Sequence, residues 1–284
     1  MVVALCLLAA AAYGLSDYVG GLVSRGVTPW AVALTGQLAG CAMVLLISRW
    51  ASGDVTLPAL GWAVLAGMGN GVGTAFLYRG LAAGRMAVVA PVSAVGAALV
   101  PVAVGLLAGE RPSPLAALGL VAAIPGIWLV AGEPASSPGT PEDPGAPRTQ
   151  SGVIDGVVAG LGFGVLFVGL AQIPESAGLV PLGVNLGVGA VLVVALASAL
   201  RAPWLPRVRR AWLGSASGVL GAAATGLFMV ATHDGDLSIA AVLVSLYPAF
   251  TVLLATVLLR EAVHRTQGVG LALCALTVAM VAVG

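Results

Sequence analysis

LLAGERPSPLAALGL (residues 106–120) and VLLREAVHRTQGVGL (residues 257–271) align without a gap at an offset of 151. The register pairs Glu110 with Glu261, Gly119 with Gly270 and Leu120 with Leu271. Gly84 pairs with Gly235 at the same offset, and Tyr13-Gly14 lies over Phe163-Gly164 at an offset of 150. Between the two copies runs EPASSPGTPEDPGAPRTQS (133–151). Its five prolines forbid a helix and favour an extended, solvated segment. The chain therefore reads as a first repeat (1–132), a Pro-rich linker (133–151) and a second repeat (152–284).

Composition says where such a chain resides. Of its 284 residues 60% are hydrophobic, and only 8% are charged, against roughly 25% in soluble domains. Mean hydropathy is +1.07. That is too little charge for a water-facing surface and too much apolar content for a disordered chain. What is left is an integral membrane protein. A net charge of +1 gives no basic footprint, so nucleic acid is not an expected partner. Cys6, Cys41 and Cys274 are odd in number, far apart and set in apolar runs, which reads as small buried hydrophobes rather than a disulfide framework or metal site.

A bilayer core about 30 Å thick takes about 20 apolar residues per helix. Ten runs fit: 2–23, 29–47, 58–78, 86–108, 113–132, 152–173, 180–200, 211–231, 237–259 and 266–283. Met1–Ala12 resembles a signal peptide but lacks a positively charged leader, and its apolar run continues to Val23, so it is read as the first membrane helix. Five spans per half is an odd number, so two homologous halves in tandem cross the membrane in opposite senses. Inverted repeats of this kind build alternating-access transporters with the substrate near the midplane.

At these positions the chain resembles the EamA branch of the drug/metabolite transporter superfamily. The resemblance rests on Tyr13-Gly14, on Gly109-Glu110-Arg111 followed by Gly119 and Gly126, and on Glu261…Gly270 with Pro248 thirteen residues before Glu261. YGLSDYVGG (13–21) is similar to an EamA subgroup with an aspartate in the first helix, and Asp17 with Gly20 resembles the first-helix carboxylate of small multidrug-resistance relatives. The sequence departs from the EamA pattern at Ala97, at Thr277 and in the order Leu259-Arg260-Glu261. The resemblance implies an all-α fold of ten membrane helices, a small-molecule substrate, no cofactor, and cytoplasmic termini.

Asp17 is the sharpest candidate for mechanism. A carboxylate facing lipid costs roughly 2.5–3.5 kcal/mol, so ionisable residues within spans point by default to a pathway. Its helical neighbours are Tyr13, Gly14, Gly20 and Gly21, a face of three glycines where a helix or ligand can approach closely. The functional reading is a proton- or cation-coupling site; the alternative is an interfacial residue satisfied by water or by Arg25. Gln37, Asn70, Thr74, Ser93, Asn185, Ser245 and the hydroxyls of Tyr78 and Tyr247 either line the same path or serve as bonds between helices worth under about 1 kcal/mol each. Pro91, Pro101 and Pro248 are expected to kink the fourth and ninth spans. The glycines at 67, 69, 71, 73, 160, 162 and 164 read as close-packing positions, not as a nucleotide loop.

Glu110 and Glu261 read as turn residues beside Arg111 and Arg260, with Ser113-Pro114 starting the next helix. Asp155 reads as a charge at a helix N-terminus. His233 and His264 make no zinc pattern. With the termini inside, only Arg49 and Arg111 would lie on the inner loops and the other ten arginines outside, so arginine counting favours the opposite orientation to the family's. The leading expectation is a secondary transporter in the bacterial inner membrane, acting as an exporter of a small metabolite, amino acid or amphiphile, with Asp17 as the residue for proton coupling. An intramembrane enzyme for lipid-linked substrates and a non-transporting scaffold are the alternatives; the first would need paired acid–base groups that the spans do not offer.

Overall fold

The computed structural model describes residues 1–50, 53–83, 86–131, 149–259 and 265–283. Among them there are helices and turns and no strand. The helices are α1 (Val2–Ser24), α2 (Pro29–Ser48), α3 (Leu57–Ala82), α4 (Met86–Leu107), α5 (Pro114–Ala131), α6 (Thr149–Ala171), α7 (Val180–Ala199), α8 (Gly214–His233), α9 (Leu237–Val244), α10 (Tyr247–Leu259) and α11 (Arg265–Val283). Six of these, α1, α2, α3, α6, α7 and α8, include stretches long and apolar enough to cross a membrane. Residues 133–148, Arg260, Glu261 and His264 lie outside the described residues, and with them the second glutamate of the repeat.

Local signals place the helix starts. Prolines occupy the first turns of α2, α3 and α7, where a missing N–H costs nothing. Thr56 accepts the Ala59 N–H, and Ser113 Oγ accepts the Ala116 N–H at 3.0 Å, so Ser113-Pro114 does open α5. The ninth span is not continuous. α9 ends at Val244 and α10 starts at Tyr247, with Ser245 and Leu246 in a turn. Pro248 accounts for the break: it has no N–H for the Val244 carbonyl, and its ring crowds that oxygen. α4, by contrast, runs through Pro91 and Pro101 uninterrupted.

Polarity is distributed as a bilayer demands. Leu8, Leu38, Leu46, Met68, Leu118, Val121 and Val191 are exposed, whereas Gln37, Asn70, Ser93, Asn185 and Thr225 are buried. Close backbone approach is bought by glycine. α3 and α6 meet along the two glycine runs: a Cβ on Gly162 would sit 2.6 Å from the Gly73 nitrogen and 2.7 Å from the Gly69 carbonyl oxygen. Gly160 faces Gly96 of α4 at 2.9 Å in the same sense. α2 and α8 cross where Gly218 lies against the Gly36 backbone, too close for any side chain.

Two contacts correct the reading of single charges. Asp155 lies well inside α6, not at its start, and its carboxylate pairs with the Arg79 guanidinium at the end of α3. That guanidinium stacks 4.2 Å above the Phe76 ring. Glu110 is more than a turn residue, since it holds the N-terminus of α9. Oε1 accepts the Leu237 N–H at 2.7 Å, and Oε2 accepts the Ser238 N–H at 3.0 Å together with the Ser238 hydroxyl.

Candidate functional site

A cavity lies between α1, α2 and α3 on one side and α6, α7 and α8 on the other. Its wall includes Tyr13, Ser16 and Asp17 of α1, Gln37 of α2, Asn70, Thr74 and Tyr78 of α3, Phe163 and Leu166 of α6, Leu186 of α7, and Ser217 and Thr225 of α8. Helical periodicity explains the α1 and α3 contributions, because positions 13, 16, 17 and positions 70, 74, 77, 78 each share one face. About 60 Å³ is open to water-sized molecules, room for a handful of waters at roughly 10–15 Å³ each.

Among the described residues the Asp17 carboxylate is the sole acid in the wall, and no arginine lines the cavity. Among the described residues Asp17 receives no hydrogen bond or ion pair, Arg25 included. Its charge lies within electrostatic reach of the Tyr13, Tyr78 and Tyr247 hydroxyls. Gly20, one turn on, leaves the space that Tyr78 fills: a Cβ there would sit 2.5 Å from the Tyr78 Cζ and 2.8 Å from the Ser217 Oγ. Gly14 does the same for α10, whose Tyr247 carbonyl lies 2.8 Å from where its Cβ would be. Gly21 is buried on the same helix.

Around this carboxylate the polar side chains bond to one another across helices. Gln37 Nε2 donates to Asn70 Oδ1 at 3.1 Å and to Thr74 Oγ1 at 3.3 Å, and Asn70 Nδ2 donates to Gln37 Oε1 and to Asn185 Oδ1, both at 3.4 Å. Tyr13 bonds Thr225 at 2.7 Å, Tyr78 bonds Ser217 at 2.5 Å, and Tyr247 bonds Ser93 at 3.1 Å. Each of these three tyrosine contacts joins a helix before the linker to one after it. Tyr13 meets Phe167 and Tyr247 at ring separations of 6.1 and 6.4 Å, and Phe167 meets Phe228 at 4.4 Å. Phe167, Phe228 and Tyr247 are buried and pack with Tyr13, which lines the cavity.

Six of the residues singled out from sequence, Tyr13, Asp17, Gln37, Asn70, Thr74 and Tyr78, therefore line one cavity. Asn185 joins it through Asn70, and Ser93 and Tyr247 form a separate pair behind Tyr13. Sequence reasoning missed Ser16, Ser217, Thr225, Phe167 and Phe228. A serine or threonine in an apolar helix is indistinguishable by sequence from one that bonds its own helix, as Ser24 does to the Gly20 carbonyl.

Comparison with known proteins adds a family and a fold. Residues 150–283 match the model of the EamA-like transporter family. Over that stretch the chain is similar to EamA-like transporters. No curated protein matches the chain in sequence. A protein known from its crystal structure superimposes with a TM-score of 0.73 at 20% identity, covering 98% of this chain and 98% of that one. At that identity the likeness speaks for the fold alone. The EamA-like match over the second half and the six apolar helices support a multi-pass membrane protein with the lipid bilayer as a partner, in keeping with a role in transport.

Proposed function

We propose that this EamA-like protein is a secondary transporter of ten membrane crossings, built as two five-helix repeats of opposite sense (1–132 and 152–284) joined by the linker 133–151. In this reading α9 and α10 together make the ninth crossing. The protein exports a small metabolite, amino acid or amphiphilic compound across the bacterial inner membrane by alternating access, and Asp17 is the group at which a proton and the substrate exchange. No paired acid–base set stands beside Asp17 in the cavity wall, which favours carriage over catalysis.

One observation carries this reading: an acid that receives no hydrogen bond or ion pair among the described residues sits in a cavity whose walls come from three helices before the linker and three after it. A carboxylate so placed has a high cost unless a ligand or proton occupies it. Rocking of one half against the other exposes it to each side in turn. Purified protein in proteoliposomes tests the idea. Asp17→Asn is expected to insert and fold normally while losing pH-gradient-driven transport; undiminished gradient-driven transport in the variant overturns the coupling role.

A further inference from the structure

The hydroxyl hydrogens of the site can be assigned one by one, because several of them meet carbonyl oxygens, which only accept. Thr225 Oγ1 donates to the Gly221 carbonyl at 2.7 Å, so in its contact with Tyr13 the tyrosine is the donor. Ser16 Oγ donates to the Ser217 carbonyl at 2.8 Å, so the Ser16–Ser217 hydroxyl contact at 3.1 Å uses the Ser217 hydrogen. That leaves Tyr78 as donor to Ser217. Thr74 donates to Asn70 Oδ1 at 3.1 Å, and both hydrogens of the Gln37 amide and of the Asn70 amide go to neighbouring side chains.

Every side-chain hydrogen in the polar wall is thus turned into the protein. What is left for a ligand is lone pairs: about four on the two carboxylate oxygens of Asp17 and more on Tyr13 Oη, Tyr78 Oη and Gln37 Oε1. Two buried polar atoms lack partners among the described residues, Asn185 Nδ2 and Ser245 Oγ, and neither residue lines the cavity. The remainder of the wall is apolar or aromatic.

We infer that the site selects a protonated amine, a cation that carries its own N–H donors, over quaternary ammonium, neutral, anionic or zwitterionic molecules. A wall of acceptors with one negative charge satisfies an ammonium through charge-assisted N–H···O bonds. A quaternary ammonium keeps the Coulomb attraction and ring contacts but leaves the acceptors unpaired. A carboxylate group finds no donor at all. Sites built around polar contacts reject analogues that lack them far more strongly than apolar pockets reject a missing methylene. The inference rests on the transporter reading of this cavity and narrows its substrate to one chemical class.

A matched series decides it: benzylamine, benzyltrimethylammonium, benzyl alcohol and phenylglycine, each titrated against the purified full chain by calorimetry at neutral pH and then supplied to proteoliposomes. Benzylamine is expected to bind at least tenfold more tightly than the other three. Tyr78→Phe, which keeps the ring and removes the acceptor, is expected to weaken benzylamine several-fold and leave benzyltrimethylammonium unchanged. Binding of none of the four, equal or tighter binding of the quaternary or zwitterionic probe, or a Tyr78→Phe effect common to both cations overturns the inference. Benzylamine that binds as expected but is never carried across the vesicle membrane leaves the donor-cation site standing and removes the transport reading instead; carriage of the zwitterion does the reverse.

Discussion

Glu110 and Leu237 lie 127 positions apart, yet the carboxylate of the first accepts the backbone N–H of the second at 2.7 Å. With the Ser238 N–H also on Glu110, two of the four amides that any helix leaves open at its N-terminus are satisfied by a residue from the other half of the chain. Caps of this kind contribute about 1 kcal/mol, and a negative charge adds to it through the helix dipole. Glu110→Ala is expected to lower stability by about 1–2 kcal/mol, and Glu110→Gln by less, because its amide oxygen still accepts one bond. Unfolding of the detergent-solubilised protein measures both; a Gln variant as unstable as the Ala variant contradicts the assignment.

Arg79 and Asp155 tie α3 to α6. Asp155 is 3% exposed and the Arg79 side chain 35%, so the pair is desolvated on one side only. Arg79→Met is expected to cost about 1–3 kcal/mol, in the range for bonds to charged groups. Arg79→Lys should recover part of this, since a lysine keeps the charge and loses the planar fork and its stacking on Phe76. Full recovery by Lys would mean that charge alone accounts for the contact.

Ser245 is a test in the other direction. Its hydroxyl is fully buried in the turn between α9 and α10 and has no partner among the described residues. Removing an unsatisfied buried group is close to neutral or stabilising. Ser245→Ala is therefore expected to leave the unfolding midpoint unchanged or raise it. A loss above about 1 kcal/mol, the net worth of an ordinary hydrogen bond, would show that the hydroxyl has a partner in the working protein.

Glycine replacements should separate sharply by position. Gly61 faces open space, and Gly61→Ala is expected to be neutral or to stabilise α3 by up to about 1 kcal/mol, since alanine is the better helix former. Gly218→Ala drives a methyl group into the Gly36 backbone, where neither side can yield. That variant should lose at least about 1–3 kcal/mol, the cost of overpacking. Similar stabilities for the two would refute the α2–α8 crossing.

The parts of this molecule that follow from local pattern were legible in its sequence. Apolar run length located the helices, Ser113-Pro114 marked the start of α5, and spacing of three and four put Tyr13, Asp17 and Gly20 on one face. Contacts between distant segments were not legible. Nothing near Glu110 says that it reaches Leu237, and nothing near Asp155 says that Arg79 meets it. The broken ninth span was partly readable, since Pro248 signals a disturbance, but α4 passes through Pro91 and Pro101 intact. Whether a proline bends or interrupts a helix depends on what its neighbours offer the freed carbonyl. The amide cluster illustrates the limit best: Gln37, Asn70 and Asn185 each looked like an isolated polar residue in an apolar span, and only packing of three helices makes them one network.

The meeting of Gly36 and Gly218 has a mechanical consequence. The main chains of α2 and α8 come closest where Gly218 lies against Gly36, with Gly214 and Gly40 adding close approaches on either side, so turning about this crossing disengages fewer side chains than sliding along it. Gly218 stands near one end of α8, so the contact works as a fulcrum with unequal arms. From Gly218 to His233 the helix extends about 22 Å at 1.5 Å per residue, and a tilt of roughly 10° would sweep its far end by about 4 Å. The short arm, next to Ser217 and Tyr78, would barely move. A small displacement near the carboxylate is thereby geared up into a large one on the opposite side of the bundle.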